Sequence, residues 1–222
     1  MEKTIEMLDK NIVKLNSLIK NEDFTYGTIR ANCINKFVKA KEVKELTNVA
    51  KNYLKEVLFE KLSGMQRHSL MELSIGNDKN SNVWGRNNEN VAIEYYEKLN
   101  NVKVIKPKHK IVDIVAGRCD GEIIDCEGLI EVKCPYNPII HLDNLKKNKV
   151  SYSENTQMQV YLWLYDKKYC DYISFDPRLP EKYRMKVIRV ERDNDFISKV
   201  KTSVELAKDY MNSEFTAINN YL

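Results

Sequence analysis

Histidine is scarce in this 222-residue chain, which has only three. A histidine-based metal site or a Ser-His-Asp arrangement is therefore not expected. The five cysteines, at 33, 119, 126, 134 and 170, are odd in number and include no C-x-x-C pair. That argues against a disulfide framework and a zinc knuckle, and the spacing is not the ferredoxin-like one that four cluster-binding thiolates would need. Reduced thiols in a cytoplasm are the simpler expectation. No apolar run approaches the ~20 residues of a membrane-spanning helix. The longest, Val160-Tyr161-Leu162-Trp163-Leu164-Tyr165, is core-sized. Residues 1–6 alternate charged and apolar side chains and lack the apolar stretch of a signal peptide. There is no G-x-x-x-x-G-K-[ST], so ATP is not an expected energy source.

What is present is an ordinary globular balance, 43% hydrophobic and 31% charged, which excludes a disordered or collagen-like chain. The length suits one large domain or one domain with an appendage. Thirty-six Lys and Arg against 32 Asp and Glu leave a net charge of +4. Such an excess permits a nucleic-acid partner without showing one, because only a clustered patch would.

Apolar spacing predicts helices over 3–20 (Ile5, Leu8, Ile12, Leu15, Ile19), 28–40 and 46–62, the last with Val49, Tyr53, Val57 and Leu58 as its stripe. The run 76–82 reads as a loop. A helix follows from about Gly85, with Val91, Ala92, Tyr95, Tyr96 and Leu99 on its buried face. After residue 100 the pattern turns short and β-branched, predicting strands at 102–105, 111–115, 118–124 and 129–134. Residues 135–150, with the basic run Lys146-Lys147-Asn148-Lys149, read as a loop. A helix at 153–166, strands at 169–175 and 185–190, and a final helix with Phe196, Val200, Val204, Ala207 and Met211 complete the chain. The expected fold is α/β, a mixed central β-sheet flanked by helices. One domain is expected to comprise a helical N-terminal part (1–83), a core (84–191) and a C-terminal helix (192–222).

The chemistry concentrates in Arg118-Cys119-Asp120-Gly121-Glu122 and Leu129-Ile130-Glu131-Val132-Lys133-Cys134-Pro135, which flank the turn Asp125-Cys126-Glu127-Gly128. A hairpin folded symmetrically about that turn puts Asp120 opposite Lys133 and Glu122 opposite Glu131. Asp120, Glu131 and Lys133 then share a face, with the two carboxylates as diagonal neighbours roughly 7–8 Å apart at Cβ. Half-buried carboxylates so close repel and lose hydration, at several kcal/mol each. A hard divalent cation such as Mg²⁺ removes both problems, and it can acidify a bound water that Lys133 helps to orient or deprotonate. The ordinary alternative is an edge-strand salt bridge, since short D…E-x-K matches are weak.

Three further features bear on the choice. Trp84-Gly85-Arg86-Asn87-Asn88-Glu89-Asn90 opens a helix with Glu89 partly on its buried side, where a first-turn glutamate could equally serve the helix dipole. Gln157 and Gln159 head an otherwise apolar helix, ~200° apart around it, so both cannot face solvent if the helix is covered. Buried amides need partners, either within the protein or on a phosphate or bound water. Asp176-Pro177-Arg178 ends a strand in a basic turn.

In order and spacing these segments resemble the YqaJ-type viral recombinase family of the PD-(D/E)xK nuclease superfamily, to which phage lambda exonuclease belongs. Gly27-Thr28-Ile29-Arg30-Ala31-Asn32 resembles its G-x-I-T-A-S and Trp84–Asn90 its W-G-x-x-x-E-x. Cys119-Asp120-Gly121 resembles P-D-G and Glu131–Pro135 resembles E-x-K-C-P. Gln157-Met158-Gln159 resembles Q-x-Q and Asp176–Arg178 resembles D-P-R. The resemblance implies a restriction-endonuclease-like core and a Mg²⁺-dependent 5′→3′ exonuclease of linear double-stranded DNA, with Mn²⁺ as a substitute. It implies a homotrimeric ring, a single-strand annealing protein as partner, and a phage or prophage origin in a bacterial cytoplasm. By position, Asp120, Glu131, the Val132 carbonyl and Glu89 are the implied metal ligands. Glu89, Asp120, Glu131, Lys133 and Gln157 form the implied catalytic set, and Arg30, Asn32, Arg86 and Gln159 the DNA contacts. Cys119 replaces the family's proline, and Arg30 and Asn32 replace Thr and Ser. Thr25 stands where an arginine reads the 5′-phosphate in lambda exonuclease, leaving Arg30 as its substitute. Lys108, Lys110, Lys146, Lys147 and Lys149 are candidates for backbone phosphates. A restriction-like or junction-cleaving endonuclease of the same superfamily, and a non-catalytic DNA-binding module, are the alternatives.

Overall fold

The computed structural model describes residues 27–38, 45–64 and 79–220. The helix expected over 3–20 lies outside them. Among the described residues the chain opens with a short strand, β1 (Ile29–Arg30), and a 3-10 turn (Ala31–Lys36), rather than the α-helix expected from residue 28. The fully buried Ile29 pairs in parallel with Val115, and the Arg30 N–H donates to the Tyr53 hydroxyl, so tertiary bonds outweigh local helix preference here. Helix α1 (Asn48–Ser63) is capped by Thr47, whose hydroxyl accepts the Ala50 N–H. Its buried stripe is Ala50, Tyr53, Leu54, Val57 and Leu58; Val49, placed there by the sequence pattern, is 62% exposed.

Helix α2 (Lys79–Asn100) begins before the expected start, and Lys79–Asn82 is helical rather than loop. No glycine or proline interrupts it before Gly85, and a polar composition does not by itself forbid a helix. Among its described side chains Ala92 and Tyr96 are buried, whereas Val91 and Leu99 are exposed.

Short or medium strands follow: β2 (Val104–Ile105), β3 (Lys110–Val112), β4 (Val115–Gly117), β5 (Gly121–Ile123), β6 (Gly128–Lys133) and, after two helices, β7 (Tyr169–Phe175). The expected strand 111–115 is in fact a hairpin, turned at Asp113, whose φ of 55° is left-handed. Strands β1, β4 and β3 form a three-stranded sheet; β2, β5, β6, β7 and β8 (Met185–Glu191) form a five-stranded one. The central sheet is mixed: β6 and β7 are parallel and the other pairs antiparallel.

Residues 135–150 are not a loop throughout. Asn137 accepts the Ile139 N–H and Pro138 takes the first position of helix α3 (Pro138–Leu145). This helix is inside out: His141 and Asn144 are buried, while Ile139, Ile140 and Leu142 face outward. His141 bridges the Ser174 hydroxyl and the Tyr183 carbonyl at 2.8 Å each, and the Asn144 amide donates to Ser174. Helix α4 (Tyr152–Tyr165) starts in a capping box formed by Ser151 and Glu154. A short α5 (Glu181–Arg184) and a long α6 (Asn194–Asn219) complete the fold.

Two apolar clusters sandwich the sheet. One packs α1, α4 and α6 against Leu129, Cys170 and Tyr172. The other packs Ala92 and Tyr96 of α2 against Ile130, Val132, Ile173 and Phe175. Alternation along β6 therefore sends Glu131 and Lys133, with Leu129, to the face covered by α4.

Candidate active site

The β5–β6 hairpin pairs Gly121 with Ile130 and Glu122 with Leu129. The register thus differs by two from the symmetric hairpin, and extending the ladder sets Asp120 beside Glu131 instead of Lys133. Gly128 reads as a turn residue, but it begins β6 by pairing with Tyr169 of β7, whose ring lies so close that a Cβ at 128 would come within 2.4 Å of it. The connection is therefore Ile124–Glu127, with Asp125 at φ 58°. A shift of two preserves side-chain parity, so the three groups still share one face.

The Val132 N–H donates to Asp120 Oδ2 at 2.7 Å and fixes that carboxylate against β6. Glu131 is 3% exposed. Its Oε1 accepts from Lys133 Nζ at 2.5 Å and from Gln157 Nε2 at 2.9 Å. Its Oε2 is buried without a hydrogen-bond partner. Gln157 also donates to the Tyr161 hydroxyl at 2.8 Å, one turn along α4. Tyr161 was hidden in the sequence by the apolar run around it; its i+4 spacing from Gln157 is the signal that could have found it.

The electrostatics follow from burial. Desolvation, and then the charge on Glu131, push the Asp120 carboxyl up to about 8, against the opposing Val132 N–H. Burial raises Glu131 as well, although Lys133 opposes it. Burial works against the charge on Lys133, but Glu131 outweighs it with help from Asp120 and Glu154, and the ammonium is held above its usual range. The Glu154 carboxylate accepts the Ser151 N–H and the Tyr172 hydroxyl, which together with Lys133 overcome its burial and keep it low. Cys134 is pushed up to about 12, by burial first and then by Glu89, and so stays a thiol.

A family model, that of the YqaJ-like viral recombinase domain, matches residues 34–168. The chain belongs to this family. No curated protein matches the sequence. Among solved structures, the fold is similar to the alkaline exonuclease LHK-Exo from Laribacter hongkongensis. That likeness has a TM-score of 0.75 at 23% identity and covers 89% of this chain and 94% of the other. The same enzyme in complex with dAMP gives 0.75 at 24%, with the same coverage. A phage-related exonuclease from Haemophilus somnus 129PT gives 0.68 at 19%, covering 86% and 96%.

In this YqaJ-like domain the remaining candidates fall in different places. Glu89 of α2 is near enough to raise Asp120, Glu131 and Cys134 through its charge, and its Oε1 lies 3.4 Å from Lys106 Nζ. Among the described residues no group of three or more His, Cys, Asp or Glu side chains is gathered to hold a metal. Gln159 points away from Gln157. It is 1% exposed, donating to the Glu191 carbonyl and accepting the Asp193 N–H, so it ties α4 to the end of β8. Arg30 pairs with the buried Glu60 at 3.3 Å. Asn32 and Arg86 are exposed, and Thr25 lies outside the described residues. Lys146 pairs with Asp143 and Lys147 donates to Asn144, while Lys108, Lys110 and Lys149 face solvent.

The Asp-Pro-Arg block is structural in geometry. Arg178 grips the fully buried Asp176 with two nitrogens at 2.7 and 2.8 Å and lies 4.4 Å over the Trp84 ring. It also donates to the Tyr136 carbonyl just beyond Lys133. Three of the sequence blocks thus lock together beside the carboxylates. No helix among the described residues is long and apolar enough to cross a membrane.

Proposed function

We propose that this chain is a Mg²⁺-dependent exonuclease that digests one strand of linear double-stranded DNA from its 5′ end, preparing it for recombination by single-strand annealing. The observation that carries this reading is Glu131 Oε2, buried and without a partner beside an Asp120 carboxyl held near 8. Two oxygen donors in that condition fit a hard cation better than they fit a salt bridge, because Lys133 satisfies only Oε1. Family membership supports it, as do the exonuclease names of the similar structures, one of them bound to dAMP.

Asp120, Glu131 and the Val132 carbonyl would hold Mg²⁺, or Mn²⁺ in its place, with Glu89 in an outer position. When bound there, the ion supplies Lewis acidity at the scissile phosphate and lowers the pKa of water. The chain's own groups do the rest. Lys133, kept charged, donates to the developing negative charge on the phosphate rather than removing a proton. Gln157, anchored on Tyr161, holds Glu131 in one rotamer. Exposed Asn32 and Arg86 and the solvent-facing lysines contact the DNA backbone, so binding weakens steeply with salt. The resemblance further supports a single nuclease domain that assembles as a homotrimeric ring and works with an annealing protein in the cytoplasm of a phage-bearing bacterium.

One time course tests it: 5′-phosphorylated linear duplex, 5′-hydroxyl linear duplex and closed circular plasmid, each with Mg²⁺. Mononucleotides from linear ends, with circles spared, is the expected result. Cutting of circles would make the chain an endonuclease of the superfamily. DNA binding without cleavage in either Mg²⁺ or Mn²⁺ would make it a binding module.

A further inference from the structure

Lys133 has a competing attachment. Its Nζ donates to Glu131 Oε1 at 2.5 Å, so the ammonium lies across the carboxylate that the proposed cation would use. Two positive charges on one carboxylate repel, and strongly so where water is excluded. Lysine can give way, because its four-carbon stem is flexible and carries three rotatable donors. The Lys133 side chain is 40% exposed and has room to swing, whereas Glu131 at 4% is walled in. The ammonium then needs an acceptor that is not itself a ligand. Glu131, Asp120 and Glu154 are the carboxylates that act on its charge. The first two are the proposed ligands, which leaves Glu154.

Chain geometry puts Glu154 on the right side. Helix α4 leads directly into β7, and β7 runs parallel to β6, so the start of α4 lies over the far end of β6, where Lys133 stands. Gln157 reaches Glu131, and Glu154 is three residues earlier on the same helix face. Across the sheet, Tyr172 pairs with Glu131 and Ser174 with Lys133. The Tyr172 hydroxyl donates to Glu154 Oε1 at 2.8 Å, and the Ser151 N–H donates to Oε2 at 2.9 Å. Asn144 Nδ2 of α3 steadies that hydroxyl at 3.4 Å. Two donors thus aim the Glu154 carboxylate, and its roughly four lone-pair positions leave room for an ammonium.

We propose that Glu154 is a positioning residue for Lys133, receiving its ammonium when Glu131 engages a divalent cation. One lysine donor then rests on Glu154, and the other two remain for the phosphate. Glu154 so serves twice, closing the start of α4 and holding Lys133 over the site. This role rests on the reading of Glu131 as a metal ligand.

Mn²⁺ binding to the full chain without DNA, read by electron paramagnetic resonance of the free ion, is the measurement. Glu154→Gln keeps an oxygen for the Ser151 N–H and lets the Tyr172 hydroxyl accept where it now donates, while removing the charge. Lys133 then stays on Glu131, and Mn²⁺ should bind about tenfold more weakly. Tyr172→Phe removes one of the two donors that aim Glu154 and should weaken binding in the same direction by a smaller factor. In a Lys133→Met background there is no ammonium to receive, and Glu154→Gln should change the affinity by less than about twofold. An equal loss in both backgrounds would make Glu154 merely a distant charge on the ion and would overturn the proposal. An affinity indifferent to both Glu154→Gln and Tyr172→Phe would also overturn it, and would leave the nuclease reading standing. No Mn²⁺ binding by the unaltered chain would overturn both. A crystal structure of the Mn²⁺ complex should show Lys133 Nζ within hydrogen-bond distance of Glu154, and Nζ still on Glu131 alone would refute the handover.

Discussion

Asp120→Asn is expected to stabilise the metal-free protein in alkaline solution while abolishing its response to Mg²⁺. Asp120 titrates near 3.8 in an unfolded chain and near 8 in the fold. Between those values the folded state keeps a proton that the unfolded state has released, so stability falls as pH rises across the window and is lowest above pH 8. A four-unit shift at 1.36 kcal/mol per unit sets a ceiling of about 6 kcal/mol. Relaxation of the site and proton sharing with Glu131 reduce it, and about half is a reasonable working figure. Asparagine keeps an oxygen for the Val132 N–H and removes the charge. At pH 9 in EDTA the variant should therefore melt about 6–12 °C higher than the unaltered chain, at 2–4 °C per kcal/mol for this length. At pH 5 only the first part of that window has been crossed, so the difference should shrink to about a third of its pH 9 value, and it should vanish below the unfolded value of 3.8. Adding Mg²⁺ at pH 8 should reverse the order, because only the native chain gains from binding it. Thermal unfolding followed by near-ultraviolet circular dichroism, with and without EDTA, reads all three comparisons. An equal difference at pH 5 and pH 9 would refute the electrostatic account of this pair.

Lys133→Met should lower the rate of DNA digestion by about 10²–10³-fold while leaving duplex binding in Ca²⁺ nearly intact, measured by single-turnover kinetics and a gel-shift titration. Gln157→Ala frees Glu131 and should weaken Mg²⁺ activation by about 10–100-fold in apparent affinity, read from the Mg²⁺ dependence of the rate. Arg178→Ala leaves the buried Asp176 without its cation and should cost about 3 kcal/mol at pH 7 in urea unfolding. The hydrogen bond from Arg178 holds Asp176 below the usual carboxylate range. This loss should therefore shrink as pH drops through that low range.

Several elements were legible from the residues alone. Strands β6 and β7 are short stretches rich in β-branched and aromatic residues, and parity along β6 placed Glu131 and Lys133 together whatever the partner register. The opposed directions of Gln157 and Gln159 followed from helix geometry, and each amide has indeed found partners. The hairpin register did not follow, since Gly128 pairs with Tyr169 and is not part of the turn, a fact set by a strand forty residues away. Helix α3 escaped because its inward residues are His141 and Asn144, which invert the apolar period. The segment after Thr28 was read as a helix because the sheet that captures Ile29 forms with residues far along the chain. Arg178 read simply as part of a basic turn; it stays at the surface but folds back to pair with the buried Asp176 two residues earlier, which the sequence did not show.

The inverted character of α3 has a bearing on how the sheet keeps its alignment. Grease tolerates sliding, since one methyl group is much like the next. A wedge seated through an imidazole and an amide has a single fit, because each bond demands its own direction and length. Displacing α3 by even one residue would strand three buried polar groups at once, at a cost far above that of an apolar mismatch. The end of β7, and with it the aspartate–arginine clasp beyond Lys133, is thereby indexed like a key in a lock. Substitutions on the outward isoleucines should pass almost unnoticed by the fold, while a single atom lost from the inward pair would let that corner drift.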